Sequence, residues 1–143
     1  VTAPSLRQQV AQALAAAGCA PLHRFGQNFM IDARARDLLA EELGAAAGVR
    51  AVEIGPGTGV LTGHLLALGC AVLAVEIDHG LAAWLEQELG PRGLRLVVGD
   101  CLASKTRLHP AIEAEAAAGP WRLGANLPYD VALPVVLNAA ALP

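Results

Sequence analysis

Residues 52–62 read VEIGPGTGVLT, a short apolar run that meets glycine at every second position, 55, 57 and 59, and then turns amphipathic. Few folds accommodate that order. A strand that runs through a glycine turn straight into a helix must pack the helix back on a sheet. Its next strand then lies parallel to the first. The rest of the chain repeats the rhythm. RAVEIG (50–55) predicts a strand, and 59–68 a helix with Leu61, Leu65 and Leu68 at core spacing. CAVLAVEID (70–78) is too uniformly apolar for a half-exposed sheet, as buried parallel strands are. A helix follows at 80–90, ended by Gly90-Pro91, then a third strand at 94–100. A loop and a helix near 110–118 lead to a weak fourth strand, WRLGAN (121–126). Residues 131–142 read as a helix that tolerates Pro134 only in its first turn. Upstream, 5–17 predicts a helix with Ser5 as N-cap and Gly18 as stop. PLHRFGQNFMID (21–32) predicts a loop, and 33–43 a helix with Leu38, Leu39 and Leu43 on one face. Alternating strands and helices imply an α/β protein with a parallel, doubly wound sheet.

The glycine turn is not G-x-G-x-x-G, because the third glycine of that pattern falls on Val60, and no Lys-Ser/Thr follows to make a P-loop. The form E-x-G-x-G-x-G is the one seen where S-adenosylmethionine binds, with backbone N–H groups of Gly55 and Gly57 open to a ligand at a helix start. A plain structural turn is the competing reading, and Glu76 weighs against it. Glu76 closes the second strand about 20 residues on, where dinucleotide folds place an acid for the ribose diol. Asp78 admits a simpler role, capping the next helix. Asp100, closing the third strand, suits the exocyclic amine of an adenine.

ANLPYD (125–130) ends the fourth strand on the same sheet edge. Pro128 fixes the backbone, so the Asn126 side-chain oxygen and the Leu127 carbonyl can accept from the N–H groups of a purine amine. Tyr129, the only tyrosine, offers a face for the base to stack on. An aromatic amine is a poor nucleophile, and aligning it needs orientation and electrostatics more than a strong base. The chain shows neither a Ser/His/Asp set nor metal-ligand spacing, and no metal is expected. Taken alone, the segment also reads as a surface Pro-Tyr turn.

Composition bounds the rest. A chain of 143 residues supports one domain, and alanine, leucine and valine with few aromatics make an aliphatic core. Net charge is −3 with a single lysine, so a broad basic surface for nucleic acid is missing. Cys19, Cys70 and Cys101 lack C-x-x-C spacing, which fits a reduced cytoplasmic setting. With no secretory leader and no apolar run of spanning length, a soluble protein with no membrane partner is expected. Val1 and Pro143 read as cut or processed ends.

GQNFMID, VEIGPGTGVLT, VEID, GDCL and ANLPYD, in this order, closely resemble the ribosomal RNA adenine dimethyltransferases (the KsgA type), from about residue 21 onward. The resemblance implies a Rossmann-like S-adenosylmethionine-dependent methyltransferase fold. It implies N6,N6-dimethylation of two adjacent adenosines in small-subunit (16S) rRNA of an immature 30S particle, during ribosome maturation. Carried over by position, cofactor contacts fall on Asn28, Met30, Gly55, Glu76, Asp100 and Asn126, and the target base on Asn126, Leu127, Pro128 and Tyr129. Met30 replaces the usual leucine, a volume-conserving change. Asp130 and Leu133 stand where Asn and Thr or Ser are more usual.

Members of the family have seven strands and then a small helical domain, whereas four strands are countable here. The expectation is therefore a partial domain over 1–143, with an N-terminal helix and loop (1–32) and a cofactor-binding core (50–143). The remaining strands and helical domain would be absent, and strand order would be 3-2-1-4 with an exposed apolar edge. Such a chain is expected to be monomeric, marginally stable and weakly active or inactive. Two other functions share much of this motif set: a non-catalytic, RNA-binding ribosome-assembly factor, and a large-subunit rRNA adenine methylase of the macrolide-resistance kind.

Overall fold

A computed structural model of the chain describes residues 3–19 and 29–143. Strands β1 (Arg50–Ile54), β2 (Ala71–Glu76), β3 (Arg95–Val98) and β6 (Arg122–Ala125) form one parallel sheet in the order β3-β2-β1-β6. Counting only sheet strands, this is the expected 3-2-1-4. Between β3 and β6 lies a two-stranded antiparallel ribbon, β4 (Leu102–Ser104) and β5 (Arg107–Leu108). The sequence reading had only a loop there, because strands this short carry no readable alternation.

Strand alternation sorts the core into two layers. Ala51, Val72 and Ala74 face α2 (Ala33–Glu42), α3 (Val60–Ala67) and α4 (His79–Leu89), where Leu61, Leu65, Leu85 and Leu89 are buried with them. Val52, Ile54, Leu73 and Val75 face the opposite way, under α5 (Pro110–Ala117) and α6 (Tyr129–Ala140). Each fully buried aliphatic side chain stabilises by roughly 1.5–3 kcal/mol, so β1 and β2, buried on both faces, hold the centre. α1 (Leu6–Ala16) lies outside this sandwich, its Val10 and Leu14 packed on Leu81 at the start of α4.

The caps follow from local chemistry. Ser5 closes a capping box with Gln8, Asp32 caps α2, and the Asp78 carboxylate accepts from the Leu81 N–H at 2.9 Å to cap α4. Three sequence expectations are corrected. Leu68 is the C-cap of α3 and is exposed, because the helix ends before it can turn inward. Leu38 is exposed as well; the core-facing set of α2 is Leu39, Ala40 and Leu43. The expected end of α4 at Gly90-Pro91 holds, with Gly90 as the C-cap, and a tighter turn follows it. Gly90 stays right-handed, a 3-10 turn runs over Gly90–Arg92 with Pro91 supplying its fixed φ, and Gly93 at φ 96° ends it.

The last correction bears on the site. α6 begins at Tyr129, not at 131, so Pro134 lies inside the helix instead of in its first turn. There it supplies no N–H to the Asp130 carbonyl, and the first turn of α6 is held one bond short.

Candidate cofactor and base site

All four parallel strands point their C-terminal ends at one cavity of about 310 Å³. This is where an open α/β sheet binds ligands, at the point where strand order reverses between β1 and β6. The glycine turn forms its floor. Gly55, Gly57 and Gly59 have φ of 67°, 58° and 79°, a left-handed backbone that side chains with a Cβ resist. Gly59 is also pinned by packing, since a Cβ there would lie 2.8 Å from both Leu85 and Leu89. Trp84 on α4 steadies the turn from behind, its indole N–H donating to the Thr58 carbonyl at 3.4 Å.

Glu76 ends β2 only 3% exposed, and its carboxylate faces the cavity. One oxygen accepts from the Gly57 N–H at 3.0 Å and the other from the Asp78 N–H at 2.9 Å. Acid and glycine turn are thus locked to each other. Burial holds the Glu76 carboxyl above the usual range, against the pull of those N–H bonds. Asp100, after β3, lines the cavity and accepts from the Leu102 N–H at 2.9 Å through Oδ1.

The other wall is the 126–128 stretch after β6, with Asn126, Leu127 and Pro128 all lining the cavity. A Cβ on Gly55 would sit 3.7 Å from the Leu127 side chain, so the glycine turn and this segment are neighbours in space. Tyr129 is different. As the first residue of α6 it is 99% exposed, with its ring outside the cavity wall. Met30 closes the cavity from the N-terminal side with Phe29. Asn28 lies outside the described residues.

Two residues of the cavity, Glu53 and Cys101, had no role assigned from sequence. Glu53, next to last in β1, is 4% exposed and lines the cavity. Its Oε2 accepts from the Thr62 hydroxyl of α3 at 2.7 Å. Burial pushes its carboxyl up to about 7, with Glu76 adding to the rise and the Thr62 bond opposing it. An acid in the middle of a buried apolar strand was the available signal. Cys101 is buried in the wall, and burial together with Asp100 pushes its thiol up to about 11, so it is no nucleophile.

Among the described residues the cavity wall carries three acids, Glu53, Glu76 and Asp100, and no Arg, Lys or His. A phosphate-bearing cofactor would find no countercharge there, whereas a cationic adenosine derivative would.

A parallel sheet of this order with the glycine turn and a buried acid at its C-terminal edge defines a Rossmann-like, S-adenosylmethionine-dependent methyltransferase fold. Within that class the chain belongs to the ribosomal RNA adenine dimethylase family, which it matches over residues 22–141. It is 42% identical over 127 residues to the ribosomal RNA small subunit methyltransferase A of Leifsonia xyli, covering 85% of this chain and 42% of that protein. The Moorella thermoacetica protein of the same name is 38% identical, over 85% of this chain and 43% of its own. The chain thus spans less than half the length of these relatives. Among solved structures, the 23S rRNA methyltransferase ErmE superposes with TM-score 0.67 at 26% identity, covering 81% of this chain and 44% of that one. A Plasmodium falciparum dimethyladenosine transferase shares the fold at TM-score 0.59 and 21% identity, over 77% and 37% of the two chains.

Proposed function

We propose that this chain provides the cofactor and acceptor-base sites of an rRNA adenine N6-dimethyltransferase acting on small-subunit rRNA in the cytoplasm, during maturation of the 30S particle. The observation that carries the reading is the joining of Glu76, the glycine turn and the 126–128 wall around one acidic cavity. S-adenosylmethionine, when bound, supplies an electrophilic methyl group on a sulfonium.

The chain's own residues hold and orient. Glu76 presents two carboxylate oxygens with lone pairs left for a ribose diol after its two backbone bonds. Asp100 keeps Oδ2 for an adenine amine, its Oδ1 being held by Leu102. Met30 and Phe29 cover the cavity with apolar surface and exclude water. Asn126 and Leu127 offer an amide oxygen and a carbonyl to the acceptor amine, which favours a pyramidal nitrogen. Tyr129, at the first position of α6 beside Pro128, stands where an unstacked adenine arriving from solvent would meet its ring. No general base is required if the amine is aligned, in keeping with a wall of hydrogen-bond acceptors.

The likeness to a 23S rRNA methyltransferase favours one second reading, methylation of large-subunit rRNA. The test for both is transfer of labelled methyl to unmethylated small and large subunits, followed by nucleoside analysis. Label in N6 of small-subunit adenosines, lost in Asn126→Ala, is expected. Label only in the large subunit favours the second reading. No label, while a longer relative in the same assay transfers it, refutes catalysis by this chain and leaves an RNA-binding assembly role.

A further inference from the structure

We propose that Glu53 is a specificity-determining residue, one that tells the charged methyl donor from the uncharged product by offering a carboxylate to the sulfonium. This rests on the reading of the cavity as an S-adenosylmethionine site. Donor and product share the adenosine and the amino-acid tail and differ by one methyl group and one positive charge. Hydrogen bonds from Glu76, Asp100 and the glycine turn therefore treat both alike, and charge is the one large handle left.

The structure supplies that handle in an unusual form. Glu53 is a buried acid of the cavity wall, on β1 two residues before the glycine turn. Its partner is a neutral hydroxyl, that of Thr62 on α3, and among the described residues no basic side chain joins it in the wall. From β2, Glu76 is the charged group that bears on it, and its effect is to favour the protonated form. From β6, Gly124 brings no side chain, and α2 approaches that strand with the apolar Leu43. A buried carboxyl so placed holds its proton until a cation arrives or the pH rises through about 7. Binding of the sulfonium would then expel the Glu53 proton to solvent, leaving a carboxylate opposite the cation. The neutral thioether would leave the proton in place. After transfer the site takes a proton back, so the product loses an attraction the donor had, which favours its release.

The experiment is calorimetric binding of S-adenosylmethionine and S-adenosylhomocysteine to this chain at pH 6 and pH 8, with Glu53→Gln alongside. Gln keeps an acceptor for the Thr62 hydroxyl but cannot ionise. The expected result is a donor-to-product affinity ratio that rises on the order of tenfold between the two pH values in the unsubstituted chain and stays flat in Glu53→Gln. Titrations near pH 7 in buffers of different ionisation enthalpy should show protons released with the donor in excess of any released with the product. That measurement needs no variant, so it decides the matter even if Glu53→Gln fails to fold. Both ligands' amino groups titrate alike, and the ratio removes that contribution. Both ligands binding with a flat ratio, or a slope kept by Glu53→Gln, overturns the role of Glu53 and leaves the cofactor reading standing. Neither ligand binding at either pH overturns both.

Discussion

Glu53 on β1 pairs with Ala74, two residues before Glu76 on β2; both acids are buried and line the same cavity, and the cost of ionising them is built into the fold. For Glu53 the sign is set by a folded-state value of about 7 against 4.5 for the free group. Below pH 4.5 both folded and unfolded chains hold the proton, and nothing is lost. Between 4.5 and 7 the unfolded chain gives it up first, so stability falls as pH rises, by roughly 3 kcal/mol at most. Glu53→Gln should remove most of that decline, leaving a smaller one of the same sign from Glu76. Urea unfolding at pH 5 and pH 8 checks it: a variant as pH-sensitive as the parent would show Glu53 to be ionised already in the fold. Gly59 makes a second residue-scale prediction. Alanine there meets a positive φ and two leucine side chains at 2.8 Å, so Gly59→Ala should destabilise by about 2–4 kcal/mol in the same assay. Gly93, also at positive φ but with open space around it, should cost only about 1 kcal/mol.

At the scale of elements, α6 carries the most telling departure from sequence expectation. Counting from a start at 131 puts Pro134 in a first turn, where it is harmless. The helix instead starts at Tyr129, because Pro128 with φ −56° and ψ 146° already sits in the extended geometry of an N-cap. Pro134 then interrupts the ladder one turn in, directly behind the residues proposed to receive the base. Pro134→Ala should stabilise α6 by on the order of 1 kcal/mol and slow hydrogen exchange at the Val131 and Ala132 amides, both now bonded to the Pro128 carbonyl. Unchanged exchange would mean the missing bond is made good elsewhere. The same helix leaves Leu133, Val136 and Leu137 exposed along one stripe. Neither fact is visible in periodicity, because an amphipathic pattern shows an apolar face without saying what covers it.

Across the whole molecule, one ion network ties the end of the sheet away from the cavity. Glu115 on α5 binds Arg50 at the start of β1 and Arg95 at the start of β3, at 2.9 Å each, spanning β2 between them. Both arginines hold its carboxyl below the usual range, Arg95 most. This stability is present above the unfolded value and lost as pH falls through the folded one, opposite in sign and lower in pH than the Glu53 effect. Glu115→Gln should therefore destabilise by about 2–3 kcal/mol near neutrality and by little at acid pH, as thermal unfolding across pH 3 to 7 would show. Cavity binding should be untouched, since the network lies at the opposite strand ends. Equal loss of cofactor affinity would mean the two ends are coupled.

What residues 50–126 say in order was enough to determine a parallel α/β sheet and the gathering of Gly55, Gly57, Glu76, Asp100 and Asn126 at one edge. Those rest on local rules, strand alternation and glycine at positive φ, whereas the strand order was implied by the family resemblance. The buried role of Glu53, the outward Tyr129, the exposed Leu38 and Leu68, the ribbon at 102–108 and the Glu115 network were decided only in three dimensions. Each depends on which residue from a distant part of the chain fills, or fails to fill, the space next to it. Burial, and the charge state that burial imposes, is a property of neighbours brought together by folding, and no single stretch of sequence carries it.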